Sequence, residues 1–216
     1  MLQTSLASRL SNPNSNANSW DERYAAQEFV WSLEPNQFAV QHLQDLKPSK
    51  MIDLAGGEGR NALWFAQRGW QVENVEISKV ALDKFMARAE RDKVLDLCLA
   101  THSDATQAHF ALAADLLVIA YLQLPFDQLV EAMNNAISQL EPGAVVFGVW
   151  HARRNLTDGV GGPPMPEVLP EPAQLKAWAE GKLVSFEVFE SERMVEKDGE
   201  VRAAIDVILK GQLPKS

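Results

Sequence analysis

The chain has 216 residues, enough for one domain with extensions or two small ones. Apolar residues make up 46% and charged residues 23%, which excludes a wholly disordered or collagen-like chain. Twenty basic against 29 acidic residues give a net charge of −9, and so negative a surface repels phosphate backbones, so nucleic acid is not expected as a partner. The longest apolar run, residues 115–126, falls well short of the roughly 18 residues of a membrane span. The first 20 residues lack a continuous apolar segment of the secretory type. One cysteine, Cys98, excludes a disulfide framework within the chain and fits a reducing, cytoplasmic compartment.

Residues 11–19 read SNPNSNANS and offer nothing large and apolar to bury, so residues 1–18 are expected to form a flexible tail, with at most a frayed turn at Leu2, Leu6 and Leu10. A single domain is expected over residues 19–213. Residues 21–32 suit a helix with Tyr24, Phe29 and Trp31 as its bulky positions, and Phe38, Val40, Leu43 and Leu46 suit a second one that Pro48 ends. Residues 50–56 are a short apolar run closed by glycines, the pattern of a buried strand. A helix then runs from Arg60 to a C-terminal Gly69, followed by a strand over residues 70–77. Ser78 is placed to cap a helix reaching about Arg91. Residues 94–100, 114–121 and 144–150 read as strands, the last two apolar on both faces as in the centre of a parallel sheet. Pro125 opens the helix between them.

Strands alternating with helices imply parallel pairs with right-handed crossovers. Residues 183–190 and 201–209 are also strand-like, and the Asp198-Gly199 between them is a tight-turn signal. The expected fold is therefore α/β: a Rossmann-like, doubly wound, seven-stranded sheet, mostly parallel, with a C-terminal antiparallel hairpin.

The first strand runs into Asp53-Leu54-Ala55-Gly56-Gly57-Glu58-Gly59-Arg60-Asn61. Glycines permit positive φ and let a ligand approach the backbone with no Cβ in the way. In open α/β sheets ligands sit beyond the carboxyl ends of the strands, where strand order reverses. Glu76 ends the next strand about 20 residues on, where an acid accepts hydrogen bonds from a ribose diol. Asp104, after the third strand, is either an acceptor for an adenine amine or a loop cap. Gly57-x-Gly59-x-x-Ala62 also fits a nicotinamide fingerprint, so an NAD(P)-dependent reductase is a rival reading. Against it, Asp53 would repel a pyrophosphate and suits a cationic cofactor, and no separate substrate domain follows residue 150.

Asp-x-Ala-x-Gly-x-Gly at residues 53–59 resembles motif I of the class I S-adenosylmethionine-dependent methyltransferases. The run of residues 54–61 is similar to the small-molecule branch of tellurite-resistance and thiopurine-type enzymes. Residues 20–24 (WDERY), 120–125 (AYLQLP) and the terminal hairpin extend the resemblance over about residues 20–210. The chain departs from motif I in Ala55, where glycine is usual, and in Glu58, whose side chain is expected to face water. The resemblance implies transfer of a methyl group from S-adenosyl-L-methionine to a small molecule, leaving S-adenosyl-L-homocysteine. It implies a cofactor site of Trp20, Tyr24, Asp53, Ala55, Gly57, Gly59, Asn61, Glu76, Ile77, Asp104, Ala105 and Tyr121, with Trp20 and Tyr24 as a lid. Tyr121 would border the acceptor and His151 would be a base or orienting group, or simply a strand cap. Arg153 and Arg154 are either anion ligands or solvated. The sequence after the fourth strand differs from the Asn/Asp-Pro-Pro-Tyr run of nucleobase methyltransferases, and no acidic cluster near strands four and five suggests a metal. Residues 155–172, with three glycines and five prolines, form a long loop expected to edge the pocket. The chain is expected to act as a monomer or homodimer, away from membranes. A cofactor-binding relic acting through protein contacts is the non-enzymatic alternative.

Overall fold

The computed structural model describes residues 13–30, 32–197 and 199–215. Seven strands form one sheet in the order β3-β2-β1-β4-β5-β7-β6. They are β1 (Lys50–Leu54), β2 (Gln71–Glu76), β3 (Cys98–His102), β4 (Leu116–Ala120), β5 (Val145–His151), β6 (Ser185–Lys197) and β7 (Glu200–Gln212). The first five pair in parallel, and β7 runs antiparallel to both β5 and β6. This is the seven-stranded, mostly parallel sheet with a terminal hairpin that the alternation of elements implies.

The helices are α1 (Pro13–Ala25), α2 (Gln37–Leu43), α3 (Arg60–Ala66), α4 (Lys79–Arg91), α5 (Phe126–Ile137), α6 (Asn155–Asp158) and α7 (Pro172–Ala179). Alternate residues of each central strand point to opposite faces. Ile52, Leu117, Ile119, Val146 and Val207 pack under α5 and α7. Met51, Leu116, Val118, Phe147 and Ile208 pack under α2, α3 and α4. Strand order reverses between β1 and its neighbours β2 and β4, so the carboxyl end of β1 opens at the switch point.

Several boundaries differ from expectation. α1 begins at Pro13, inside the stretch read as a tail, and ends at Ala25, well before Ser32. Proline suits a first helical turn, and the far end of α1 is pinned: the Asp21 carboxylate accepts from Val80 N at 3.1 Å and from the Ser78 hydroxyl at 2.5 Å. Residues 26–30 leave the helix because their backbone is used elsewhere, as the site shows. Leu2, Leu6, Leu10 and Trp31 lie outside the described residues, as does Asp198 of the expected turn. β3 is shorter than expected, since residues 95–97 form a 3₁₀ turn. β6 and β7 are 13 residues each, far longer than their apolar cores. Their outer halves are charged, which hides them from a hydrophobicity reading, yet they pair from Ser185↔Gln212 to Lys197↔Glu200. α7 went unread inside a proline-rich stretch. Pro172 opens it, and the Gln174 side chain accepts from Glu171 N at 2.9 Å.

Candidate active site

The turn leaving β1 has positive φ at Ala55 (56°), Gly57 (58°) and Gly59 (71°). Such angles suit glycine and strain alanine. Each glycine also answers a close neighbour. A Cβ on Gly57 would lie 2.5 Å from the Tyr24 hydroxyl, and one on Gly59 would lie 2.1 Å from the Phe85 ring. A Cβ on Gly56 would lie 2.2 Å from Asn74 Oδ1 and 2.7 Å from Asp53 Cγ. The turn thus hugs β2 on one side and α1 and α4 on the other.

Asp53 is fully buried. Its Oδ2 accepts from Ala62 N at 3.1 Å, which ties the strand to the first turn of α3, while Oδ1 has no partner. Burial pushes the Asp53 carboxyl up to about 7, against the hydrogen bond from Ala62 and the nearby charge of Arg60. Asn61, also buried, helps hold the Asp53 carboxyl down, and its Oδ1 accepts from Asn36 N at 2.9 Å, while Asn36 in turn caps α2.

Glu76 is buried at the end of β2, and its carboxylate folds back on the turn. Oε2 accepts from Gly57 N at 3.0 Å and Oε1 from Ser78 N at 2.9 Å. Each oxygen keeps a further lone pair. Burial raises its pKa, and the N–H groups of Ser78, Gly57 and Ile77 hold it back. Asn74 Nδ2 donates to Gly57 O at 2.9 Å, so β2 grips the turn by both its N–H and its carbonyl. Ile77 follows Glu76, and its carbonyl meets His102 Nε2 at 2.9 Å. Asp104 curls onto its own loop, where Oδ1 accepts from Thr106 N and Oγ1, both at 2.8 Å, ahead of buried Ala105.

α1 crosses over this turn. Tyr24 is buried with its hydroxyl against Gly57, and the Trp20 ring lies 5.8 Å from it. Glu58 does not face water as expected; it is 4% exposed. Its Oε2 accepts from Val30 N at 3.1 Å, and its Oε1 pairs with Lys84 Nζ at 3.1 Å. Lys84 also donates to the carbonyls of Tyr24, Gln27 and Glu28 at 2.6–2.9 Å. The segment after α1 is strapped to the turn by these bonds, and for that reason the helix stops at Ala25.

Across the switch point, the carboxyl ends of β4 and β5 and the interior of the β6–β7 hairpin bring together four polar side chains. Tyr121, with φ of 61°, follows β4, and its hydroxyl donates to Asp206 Oδ2 at 2.8 Å. Arg193 Nε donates to the same oxygen at 2.7 Å and to the Tyr121 hydroxyl at 3.1 Å. His151 stands opposite Asp206 in the β5–β7 register, with Nδ1 3.0 Å from Asp206 Oδ1. The His151 and Tyr121 rings are 4.8 Å apart. Burial alone would raise the Asp206 carboxyl, but the His151 contact, Arg193 and Tyr121 together hold it below the usual carboxylate range. Burial pushes the Tyr121 phenol up to about 12, helped by Asp206. Arg60, from the first turn of α3, sets its guanidinium 5.9 Å from the Tyr121 ring. Burial lowers its pKa, opposed by Tyr121 and Asp53.

The sequence pointed to Tyr121 and His151 but not to Asp206, Arg193 or Arg60. A readable signal did exist for Asp206, a lone charge inside the apolar run Ala204-Ile205-Asp206-Val207-Ile208. Arg153 and Arg154 stay apart from the cluster: Arg153 pairs with Glu171 at 2.8 Å, and Arg154 pairs with Glu190 at 2.8 Å and Asp158 at 3.3 Å. The glycine–proline loop does reach the cluster, since a Cβ on Gly162 would lie 2.8 Å from the His151 ring. Among the described residues no group of His, Cys, Asp and Glu is arranged to hold a metal ion, and no helix is long and apolar enough to cross a membrane.

Comparison with known proteins identifies the class. The thiopurine S-methyltransferase family matches residues 15–120, which span α1 to β4 and hold the glycine turn and Glu76. No curated protein sequence is a significant match. Solved structures superpose over nearly the whole chain. One, reported for the conversion of a disulfide bond into a thioacetal group during echinomycin biosynthesis, aligns at a TM-score of 0.71 and 15% identity, covering 93% of this chain and 92% of its own. TehB from Haemophilus influenzae aligns at 0.66 and 15% identity, covering 89% of this chain and 66% of its own. The N-methyltransferase NodS from Bradyrhizobium japonicum WM9, in complex with S-adenosyl-L-homocysteine, aligns at 0.64 and 15% identity, covering 92% and 98%. The fold and the glycine turn define a class I, Rossmann-like methyltransferase. The chain is an S-adenosylmethionine-dependent methyltransferase, similar over residues 15–120 to the thiopurine S-methyltransferase family.

Proposed function

We propose that the chain methylates a small-molecule acceptor, and that residues 19–213 form the single domain that does so. One observation carries this reading: the positive-φ turn of residues 55–59, held by Glu76 at the switch point, faces the Tyr121–His151–Asp206–Arg193 cluster across the carboxyl ends of β1 and β4.

The donor set suits the cofactor. Glu76 keeps lone pairs for a ribose diol, the unpartnered Asp53 Oδ1 suits an ammonium group, and Gly57 lets the turn pass close under the Tyr24 hydroxyl. Ala55 and Gly59 shape the same turn, and Asn61, in the first turn of α3, ties that helix to the N-cap of α2 beside the site. Ile77, Asp104 and Ala105 would border the adenine, and Trp20 and Tyr24 would cover the site. When bound, S-adenosylmethionine supplies a methyl group already activated by the sulfonium charge. The protein's task is then to align the acceptor and exclude water, and orientation of this kind is worth about 7–11 kcal/mol of barrier. Tyr121 forms a wall of the acceptor pocket, and His151 takes a proton where the acceptor must lose one. The negative charge of the chain argues against a nucleic-acid acceptor. We place the protein in the cytoplasm, as a monomer or homodimer, with its one cysteine buried.

Calorimetric titration with S-adenosyl-L-homocysteine and with NADPH tests the cofactor assignment, and the expected result is binding of the first alone. Mass spectrometry of S-adenosyl-L-homocysteine release over a panel of small phenols, thiols, amines and carboxylates tests the acceptor. Cofactor binding with no turnover on any of them would favour a catalytically silent relic.

A further inference from the structure

His151 and Asp206 are cross-strand partners whose facing atoms meet no other polar group. His151 Nδ1 and Asp206 Oδ1 lie 3.0 Å apart, at ion-pair distance, and both are buried with no hydrogen bond made by either atom. The other oxygen, Asp206 Oδ2, accepts two bonds, from the Tyr121 hydroxyl at 2.8 Å and from Arg193 Nε at 2.7 Å. Both are obligate donors at this geometry, since an arginine has no acceptor atom. The carboxylate is therefore locked in place by Oδ2 and presents Oδ1, acceptor only, to the imidazole.

We propose that Asp206 is a positioning residue that fixes His151 in its Nδ1–H tautomer, so that Nε2 is the basic atom offered to the methyl acceptor. This rests on the proposed methyltransferase reading, and adds to it that the acceptor arrives protonated at the atom to be methylated. In a neutral imidazole one nitrogen donates and the other accepts, and the partner of one nitrogen decides which. Asp206 Oδ1, an acceptor only, is the atom that faces Nδ1 at 3.0 Å, which assigns the ring proton to Nδ1, and Nε2 has no hydrogen-bond partner among the described residues. The acceptor's X–H bond breaks, its electron pair stays on X, and the proton passes to Nε2. The resulting imidazolium is matched by the Asp206 carboxylate. The charged and titratable groups around the ring are Asp206 from β7, Arg193 from β6, Tyr121 after β4 and Arg60 from α3. Asp206 offsets Arg193, and Arg60 remains as a positive charge beside the developing anion on X.

Asp206→Asn gives a sharp test because Tyr121 and Arg193 still demand an acceptor where Oδ2 was. The asparagine oxygen must take that place, which turns its NH2 toward Nδ1 and reverses the tautomer. The measurement is the nitrogen–proton correlation spectrum of the ¹⁵N-histidine-labelled full chain, saturated with S-adenosyl-L-homocysteine at a pH where the ring is neutral. His151 is assigned by its loss in His151→Gln. The wild type should show the Nδ1–H pattern, Asp206→Asn the Nε2–H pattern, and Tyr121→Phe the wild-type pattern. For any acceptor that is turned over, kcat of Asp206→Asn should fall about 10²- to 10⁴-fold with KM for the cofactor unchanged. An Nε2–H ring in the wild type, or an Nδ1–H ring in a folded Asp206→Asn, overturns the assignment. If Asp206→Asn does not fold, the wild-type and Tyr121→Phe spectra still decide. Calorimetry with S-adenosyl-L-homocysteine on the same samples separates this outcome from a failure of the cofactor reading, since the tautomer is readable whether or not the cofactor binds.

Discussion

Asp53 and Asn74 are register partners on β1 and β2, and each buries an oxygen without a hydrogen-bond partner beside the glycine turn. Buried polar atoms in this state are rare and cost stability unless something satisfies them. The Asn74 oxygen and the Asp53 carboxyl group both crowd the position where Gly56 has no Cβ, which marks a place built for more than packing.

The consequence for pH follows from Asp53. Burial raises its carboxyl from 3.8 to about 7, so folding takes up a proton between those values. The stability linked to that proton is fully present below about pH 4 and is lost as pH rises through about 7, with a span of about 4 kcal/mol. Denaturant titrations of the cofactor-free protein at pH 5 and pH 8 should show this loss in the wild type and a smaller one in Asp53→Asn. The binding of S-adenosyl-L-homocysteine should strengthen over the same range, because the ionised carboxylate attracts the ligand's ammonium. Equal pH slopes in both proteins would remove Asp53 from this role.

Glu76 is a second point of test. Its carboxylate holds Gly57 N and Ser78 N and keeps lone pairs for a ligand. Hydrogen bonds to a charged group contribute about 1.5–3 kcal/mol. Glu76→Ala should therefore weaken S-adenosyl-L-homocysteine roughly 10- to 150-fold in calorimetry. Glu76→Gln, which keeps an acceptor oxygen, should lose less. An unchanged affinity in Glu76→Ala means the ribose is held elsewhere.

Much of this arrangement was legible in the sequence, and the boundary of legibility is physical. The parallel strands declared themselves because β1, β4 and β5 are buried on both faces and read as apolar runs, broken in β1 by Asp53 alone after Lys50. The glycine turn and Glu76 were readable because a local backbone demand and a fixed strand spacing leave marks a few residues apart. The Asp206–His151–Tyr121–Arg193 cluster was only half readable, because sheet order assembles it from residues 13 to 85 apart in sequence. Glu58 was misread for a related reason. In sequence it is one more charged residue in a turn, and only the long-range approach of Lys84 and Val30 makes its burial tolerable.

Gly59 separates backbone strain from crowding. It combines φ of 71° with a 2.1 Å approach of a Cβ to the buried Phe85 ring. Left-handed strain of about 1–2 kcal/mol and overpacking of about 1–3 kcal/mol should both fall on Gly59→Ala. Gly161 has a similar φ of 76° and no atom within 4 Å of its Cβ position, so Gly161→Ala should carry the strain alone. In thermal unfolding Gly59→Ala should lose roughly 5–15 °C and Gly161→Ala only a few degrees, at about 2–4 °C per kcal/mol for a chain of this size. Equal losses would show that the Phe85 contact is easily relieved.

Lys84 makes the most local prediction. Its ammonium gathers three carbonyls from residues 24, 27 and 28 and the buried Glu58 carboxylate, and so joins α4 to the segment that follows α1. Lys84→Met removes every one of these donors and leaves Glu58 buried with only Val30 N as a partner, a change of about 1–3 kcal/mol. The loss should be concentrated in one segment, because the central strands do not depend on it. Hydrogen exchange should quicken over residues 24–30 while β1, β4 and β5 stay protected. Adding Glu58→Gln to Lys84→Met should recover part of the stability by removing the stranded charge. Since Tyr24 lies over Gly57, loosening its anchor should also raise the dissociation rate of S-adenosyl-L-homocysteine. Exchange that quickens throughout the sheet would instead make Lys84 a general support of the fold, and faster ligand release without faster local exchange would detach Tyr24 from the strap.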